Sequence, residues 1–203
     1  MKTILLSLIL AVNFAAGQSV DTVIKTPILT SYFSNQLHEP LYVVYKLYKG
    51  GGKCSRSGLT FKTDGLPFSA TASDYSKGGY DEGHLANAED FAFDCNLEPL
   101  TFRFYNCLPQ TARLNRGIWK VSETHIREES QTDSLLIICG GIFGKKTIGK
   151  GKIAVPDQCW KIVISLHSLK VTHCLLFPND TSDTYRELDI EELRKLIPFP
   201  VIY

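Results

Sequence analysis

Four apolar runs of strand length, with no helical pattern recurring between them, constrain this chain most. Residues 41–48 (LYVVYKLY) are dense in β-branched and aromatic side chains and read as a strand, closed by Gly50-Gly51-Gly52. Residues 135–142 (LLIICGGI) form an apolar run of strand length, suited to a buried strand. Residues 161–165 and 171–177 read as two arms of a hairpin turning near Leu166 and His167. Residues 66–75 read as irregular. Helix signals are fewer. Leu114, Ile118 and Val121 recur at i, i+4 and i+7, which predicts one helix over residues 111–127. Asp189, with Glu192 three positions later, forms a capping box that opens a short helix, and Pro198 closes it. Because strands and helices do not alternate regularly, the expected class is α+β, with a mainly antiparallel sheet flanked by helices.

At 203 residues the chain suits one domain, and 22 Lys+Arg against 21 Asp+Glu leave a formal net charge of +1. No overall basic field marks a nucleic-acid binder, so any such function needs a local site. Residues 1–17 have the layout of a signal peptide: Lys2, a short apolar run from Ile4, then Ala15-Ala16-Gly17. The run is too short to span a membrane comfortably. The expected organisation is a leader over 1–17 and a single domain over 18–203, secreted and without a membrane partner after cleavage. In that setting the 6 cysteines are expected to form disulfides, with fifteen possible connectivities. A hairpin turning at Leu166-His167 would place Cys159 opposite Cys174, within disulfide reach. Asn179-Asp180-Thr181 is a glycosylation sequon that reads equally as an unmodified loop.

The informative stretch for chemistry runs from Tyr80 to Glu123. It contains YDEGHLANAEDF and NCLPQTARLNRGIW. Singly, His84, Asn115 and Glu123 read as ordinary structural or surface residues. Together they say more. Asn115, Trp119 and Glu123 lie at i, i+4 and i+8, a broad polar face beside the Leu114/Ile118 stripe, while His125 falls on that stripe and is expected to pack. Gly117 inside the helix costs about 1 kcal/mol relative to Ala, which suggests close approach of another backbone or a ligand. An amide oxygen and a carboxylate suit a hydrated Mg²⁺, and a histidine opposite can take a proton from water. Base plus metal suffices to hydrolyse a phosphodiester.

These segments, with the looser IGKGKIAVPDQCWKIVI, resemble the DNA/RNA non-specific endonucleases, the group of secreted bacterial nucleases and mitochondrial endonuclease G with a ββα-metal site. The resemblance runs from about Tyr45 to the C-terminus. It implies His84 as general base and Asn115 as the direct protein ligand of a hydrated Mg²⁺, with Mn²⁺ or another divalent cation as alternatives. It places Glu123 on the residue that orients metal waters, Asn106 on a supporting active-site asparagine, and Arg56 on an arginine that holds phosphate. Asp81 matches the motif's acid, with a structural role.

One position departs from the family pattern: where the motif has Asp-Arg-Gly-His, this chain has Glu82. In an extended segment Glu82 would face the same way as His84. It would then either remove a phosphate partner and raise the imidazole's pKa, or help a metal water. The expected function is a secreted, Mg²⁺-dependent endonuclease acting on DNA and/or RNA. The alternative is a nuclease-fold protein that binds nucleic acid with weak or no catalysis because of Glu82.

Overall fold

The structure, a computed structural model, describes residues 18–150 and 152–202. The expected leader lies outside the described residues. In chain order the elements are β1 (Thr22–Lys25), β2 (Thr30–Ser34), β3 (Glu39–Leu47), the single turn α1 (Ala72–Tyr75), β4 (Asp81–His84), β5 (Cys107–Gln110), α2 (Ala112–Arg116), α3 (Ile118–Glu129), β6 (Leu135–Ile148), β7 (Ile153–Ser165), β8 (Val171–Pro178), β9 (Arg186–Glu187) and α4 (Ile190–Leu196). Seven strands form one antiparallel sheet in the order β1-β2-β3-β6-β7-β8-β9, and β4 pairs with β5 separately. The class is α+β, as the strand-length runs predict.

The long central strands are buried on both faces, so their side chains alternate between two packed layers. On one face Trp160 lies near Tyr42, which stacks on Phe199 from the C-terminal segment. On the other, Lys161 lies 4.1 Å beneath the ring of Trp119, and Phe177 meets that ring edge-on. Trp119 and Trp160 are both fully buried. Removing such large side chains from a core costs about 3–5 kcal/mol, so these two indoles pin the layers on either side of the sheet. The Asp189–Glu192 capping box opens α4 as expected.

Two expectations are corrected, and one open reading is narrowed. The β7–β8 connection spans residues 166–170 and is centred later than expected, so Cys159 faces Phe177 and Cys174 faces Ile162. That shift of three residues puts the two thiols on opposite faces of the sheet. The disulfide present is Cys54–Cys95, and Cys107, Cys139, Cys159 and Cys174 are buried thiols. The single helix over 111–127 is two helices, because the backbone breaks at Gly117. The break re-phases the second helix: α3 buries Trp119, Ser122, Glu123 and Ile126, while Val121 and His125 face solvent. Finally, the amide of Asn179 is buried, donating to the carbonyls of Pro109 and Pro156 and accepting from Thr111 N–H. Its nitrogen is therefore inaccessible to a glycan in the folded chain.

Candidate active site

His84 ends β4, where its backbone pairs with Cys107 of β5. A Cβ on Gly83 would lie 2.2 Å from the Gln110 side chain, so glycine there lets the two short strands close together. Such a short pair needs outside support. Asn106 supplies it from behind: its side chain accepts from Ala86 N–H and donates to the carbonyls of Ala86 and Thr101. Trp119 donates its indole N–H to the carbonyl of His84 at 3.2 Å, tying α3 to the same strand. The imidazole packs between Phe61 (4.6 Å) and Phe102 (4.7 Å, edge-on). Burial first, then the nearby Arg56 guanidinium, pull its pKa down to about 3, so the ring is neutral at physiological pH. Its Nε2 has no hydrogen-bond partner.

Asn115 sits at the end of α2. Its amide nitrogen donates to Asp81 Oδ2 (3.0 Å), and Asp81 also takes a two-pronged ion pair from Arg116 at 2.7 and 2.6 Å. Those bonds hold Asp81 below its ordinary pKa, Arg116 contributing most. With the amide's donor end engaged, its oxygen is the end left for a ligand. The Gly117 break is filled by Asp183, which accepts from Ile118 N–H at 2.8 Å. A Cβ on Gly117 would stand 2.2 Å from that carboxylate. The distant group that approaches Gly117 is thus the side chain of this loop residue, which is tight packing and not the ligand or distant backbone expected.

Glu123, on the buried face of α3, accepts from Asn87, which also accepts from Arg127. Arg127 in turn pairs with buried Asp90 at 2.9 Å, and Asp90 accepts from Tyr45. Burial pushes the Glu123 carboxyl up to about 7 against the pull of Lys161, and its Oε1 has no partner.

Arg56, His84, Asn115 and Glu123 line one cavity of about 600 Å³, together with Asn87, Glu89, Arg116, Lys120, Thr124 and Arg127. Arg56 is held there by Glu89 (3.2 Å), and the Cys54–Cys95 disulfide anchors its loop. Asn106 does not reach the cavity, since its amide is engaged by backbone. Glu82 lines a different cavity, and the upward pull expected from it on His84 is replaced by the downward effect of burial and Arg56. Sequence reasoning missed Asn87, Arg116, Lys120 and Arg127. Arg127 carried a signal, one turn beyond Glu123 on the same helix face.

No group of three His, Cys, Asp or Glu side chains that could hold a metal occurs among the described residues. A hydrated hard cation does not require one, because it keeps most of its waters and takes few protein oxygens. Asn115 and Glu123 line one polar cavity, and an amide oxygen beside a carboxyl with an unpartnered oxygen fits such an ion.

A model of the DNA/RNA non-specific endonuclease family matches residues 9–199. A nuclease of Nostoc sp. is 42% identical over 101 residues, covering 48% of this chain and 36% of that protein. The mitochondrial endonuclease G of Bos taurus is 31% identical over 142 residues, covering 61% and 48%. The matches thus span about a third to a half of these relatives' length. A solved EndoG chain, from the EndoG/EndoGI complex, shares the fold with a TM-score of 0.76 at 22% identity, covering 86% of this chain and 83% of that one. The short strand pair bearing His84 and the helix break that presents Asn115 therefore sit in a known framework, and the chain belongs to the DNA/RNA non-specific endonuclease family.

Proposed function

We propose that the chain is a Mg²⁺-dependent endonuclease that hydrolyses phosphodiester bonds of DNA and/or RNA. The observation that carries this reading is that a neutral His84 with an unpartnered Nε2, Asn115, and Glu123 with an unpartnered Oε1 line one cationic cavity. His84 takes the proton of the attacking water, and its aromatic packing keeps the ring oriented while the reaction proceeds. Asn115 Oδ1 and, behind it, Glu123 hold the hydrated divalent cation; Mn²⁺ fits the same oxygens. When bound, the cation supplies charge stabilisation to the phosphate in the transition state. Arg56, Lys120 and Arg127 attract and hold the polyanion. Asn106 positions the His84 strand through the backbone. Secretion is part of the same reading, supported by the leader-like N-terminus and by a disulfide, which suits an oxidising compartment. Plasmid nicking in Mg²⁺, abolished by chelator, is the expected result. Gel-shift binding without nicking would favour the non-catalytic binder instead.

A further inference from the structure

Beside the cavity of His84 lies a second, open one of about 500 Å³, formed by Tyr75, Tyr80, Asp81, Glu82, Asn115, Arg116 and the first turn of α1. The two cavities share Asn115 and Arg116 as a common wall. Arg116 is 72% exposed, yet its guanidinium is held by both oxygens of Asp81, so it projects as a fixed cation between them. A fixed guanidinium with exposed N–H groups is suited to a phosphate oxygen. Tyr80 is half-buried against the small cluster of Tyr75 and Phe104 and presents an aromatic ring to the cavity. Glu82 is half-buried, and among the described residues its carboxylate has neither a cation nor a hydrogen-bond donor. Burial, then the neighbouring Asp81, push its carboxyl above the ordinary value.

We infer that this second cavity is a nucleotide subsite next to the scissile phosphate, in which Arg116 holds a phosphate, Tyr80 stacks the base and Glu82 accepts from its exocyclic amino group. The proposal rests on the nuclease reading above and adds a substrate preference to it. Cytosine, adenine and guanine carry an exocyclic amino donor for a carboxylate, whereas thymine and uracil carry none. Stacking itself tolerates every base, so the discrimination falls to Glu82. The residue that departs from the family motif thus becomes a specificity determinant.

The test is anisotropy binding of labelled dC8 and dT8 to the full chain in chelator, together with Mg²⁺ cleavage of random single-stranded DNA and sequencing of the product ends. The wild type should favour dC8 by about 3- to 10-fold, the worth of one partly exposed hydrogen bond. Glu82→Gln, which both donates and accepts, should erase that preference while binding persists. Arg116→Gln should weaken both oligomers alike and lower the salt dependence by about one ion. Base-selective binding without wild-type cleavage would support the subsite and overturn the nuclease reading. Cleavage with no base preference, or with a preference unchanged in folded Glu82→Gln, would overturn the subsite and leave the nuclease reading standing. Failure to bind either oligomer would overturn the subsite as well.

Discussion

The strand pairs β6–β7 and β4–β5 are both antiparallel, yet different forces hold them. β6 and β7 are long and, over their middle stretches, apolar on both faces, and their register follows from burial; Lys161, buried among them, lies beneath Trp119 and acts on Glu123. β4 and β5 are four residues each and rely on neighbours: the Asn106 clip, the Trp119 indole and the Asp81–Arg116 pair. A buried polar network is stable when its members satisfy one another, so the few atoms left unsatisfied stand out. His84 Nε2 and Glu123 Oε1 are two of them, on residues that line the cationic cavity. One region supplies stability, and the other holds chemistry at the sheet's surface.

Crossing the two regions gives the largest contrast. His84→Ala should lower turnover by about 10²–10⁴-fold, the usual worth of a general base, and should melt near the wild type. Ile162→Ala, on the buried face of β7, should cost about 2–5 kcal/mol of stability and leave turnover per folded molecule unchanged. Initial cleavage rates and thermal melts on the same preparations check both. A His84→Ala protein that unfolds while Ile162→Ala loses activity would reverse the assignment.

The disulfide belongs to the loops beside the short strand pair, outside β6 and β7. Cys54 and Cys95 close a loop with a sequence separation of 41, which on chain-entropy grounds is worth up to about 4 kcal/mol. Replacing both by serine should lower the melting temperature and also raise KM, because the loop carrying Arg56 is released. An unchanged KM would show that Glu89 and Glu98 position Arg56 without the disulfide.

The smallest effect is expected at Glu39, buried at the start of β3 with Tyr75 as its hydrogen-bond donor and Oε2 unpartnered. Burial raises its pKa well above the ordinary carboxyl value. A raised folded-state pKa means stability is fullest below the unfolded pKa and declines as pH rises toward the folded one. Glu39→Gln cannot ionise, so its melting temperature should exceed that of the wild type more at pH 8 than at pH 5. An equal difference at both pH values would mean that Glu39 is as ionised in the folded chain as in the unfolded one, against the raised pKa.

The legible features were those set by local pattern. The apolar runs of β3 and β6 and the Asp189–Glu192 cap announce themselves within a few residues. What the sequence hid depended on long-range geometry. The β7–β8 register turned on where a loop ends, and three residues sufficed to separate Cys159 from Cys174. Cys54–Cys95 joins distant loops that no periodicity relates. On α3 the apolar stripe misled, because the Gly117 break rotates the helix and Glu123 is drawn inward by Asn87 and Lys161. At the site, His84, Asn115 and Glu123 were readable from motif order, whereas Arg116 gains its role from Asp81, far away in sequence.

Calorimetric Mg²⁺ titration of folded Asn115→Ala, beside wild type and His84→Ala, tests the account most directly. The account predicts that His84→Ala binds Mg²⁺ as the wild type does but fails to cleave, while Asn115→Ala loses Mg²⁺ binding because no second direct ligand is evident. Wild-type Mg²⁺ affinity in Asn115→Ala, or full cleavage by His84→Ala, would contradict it.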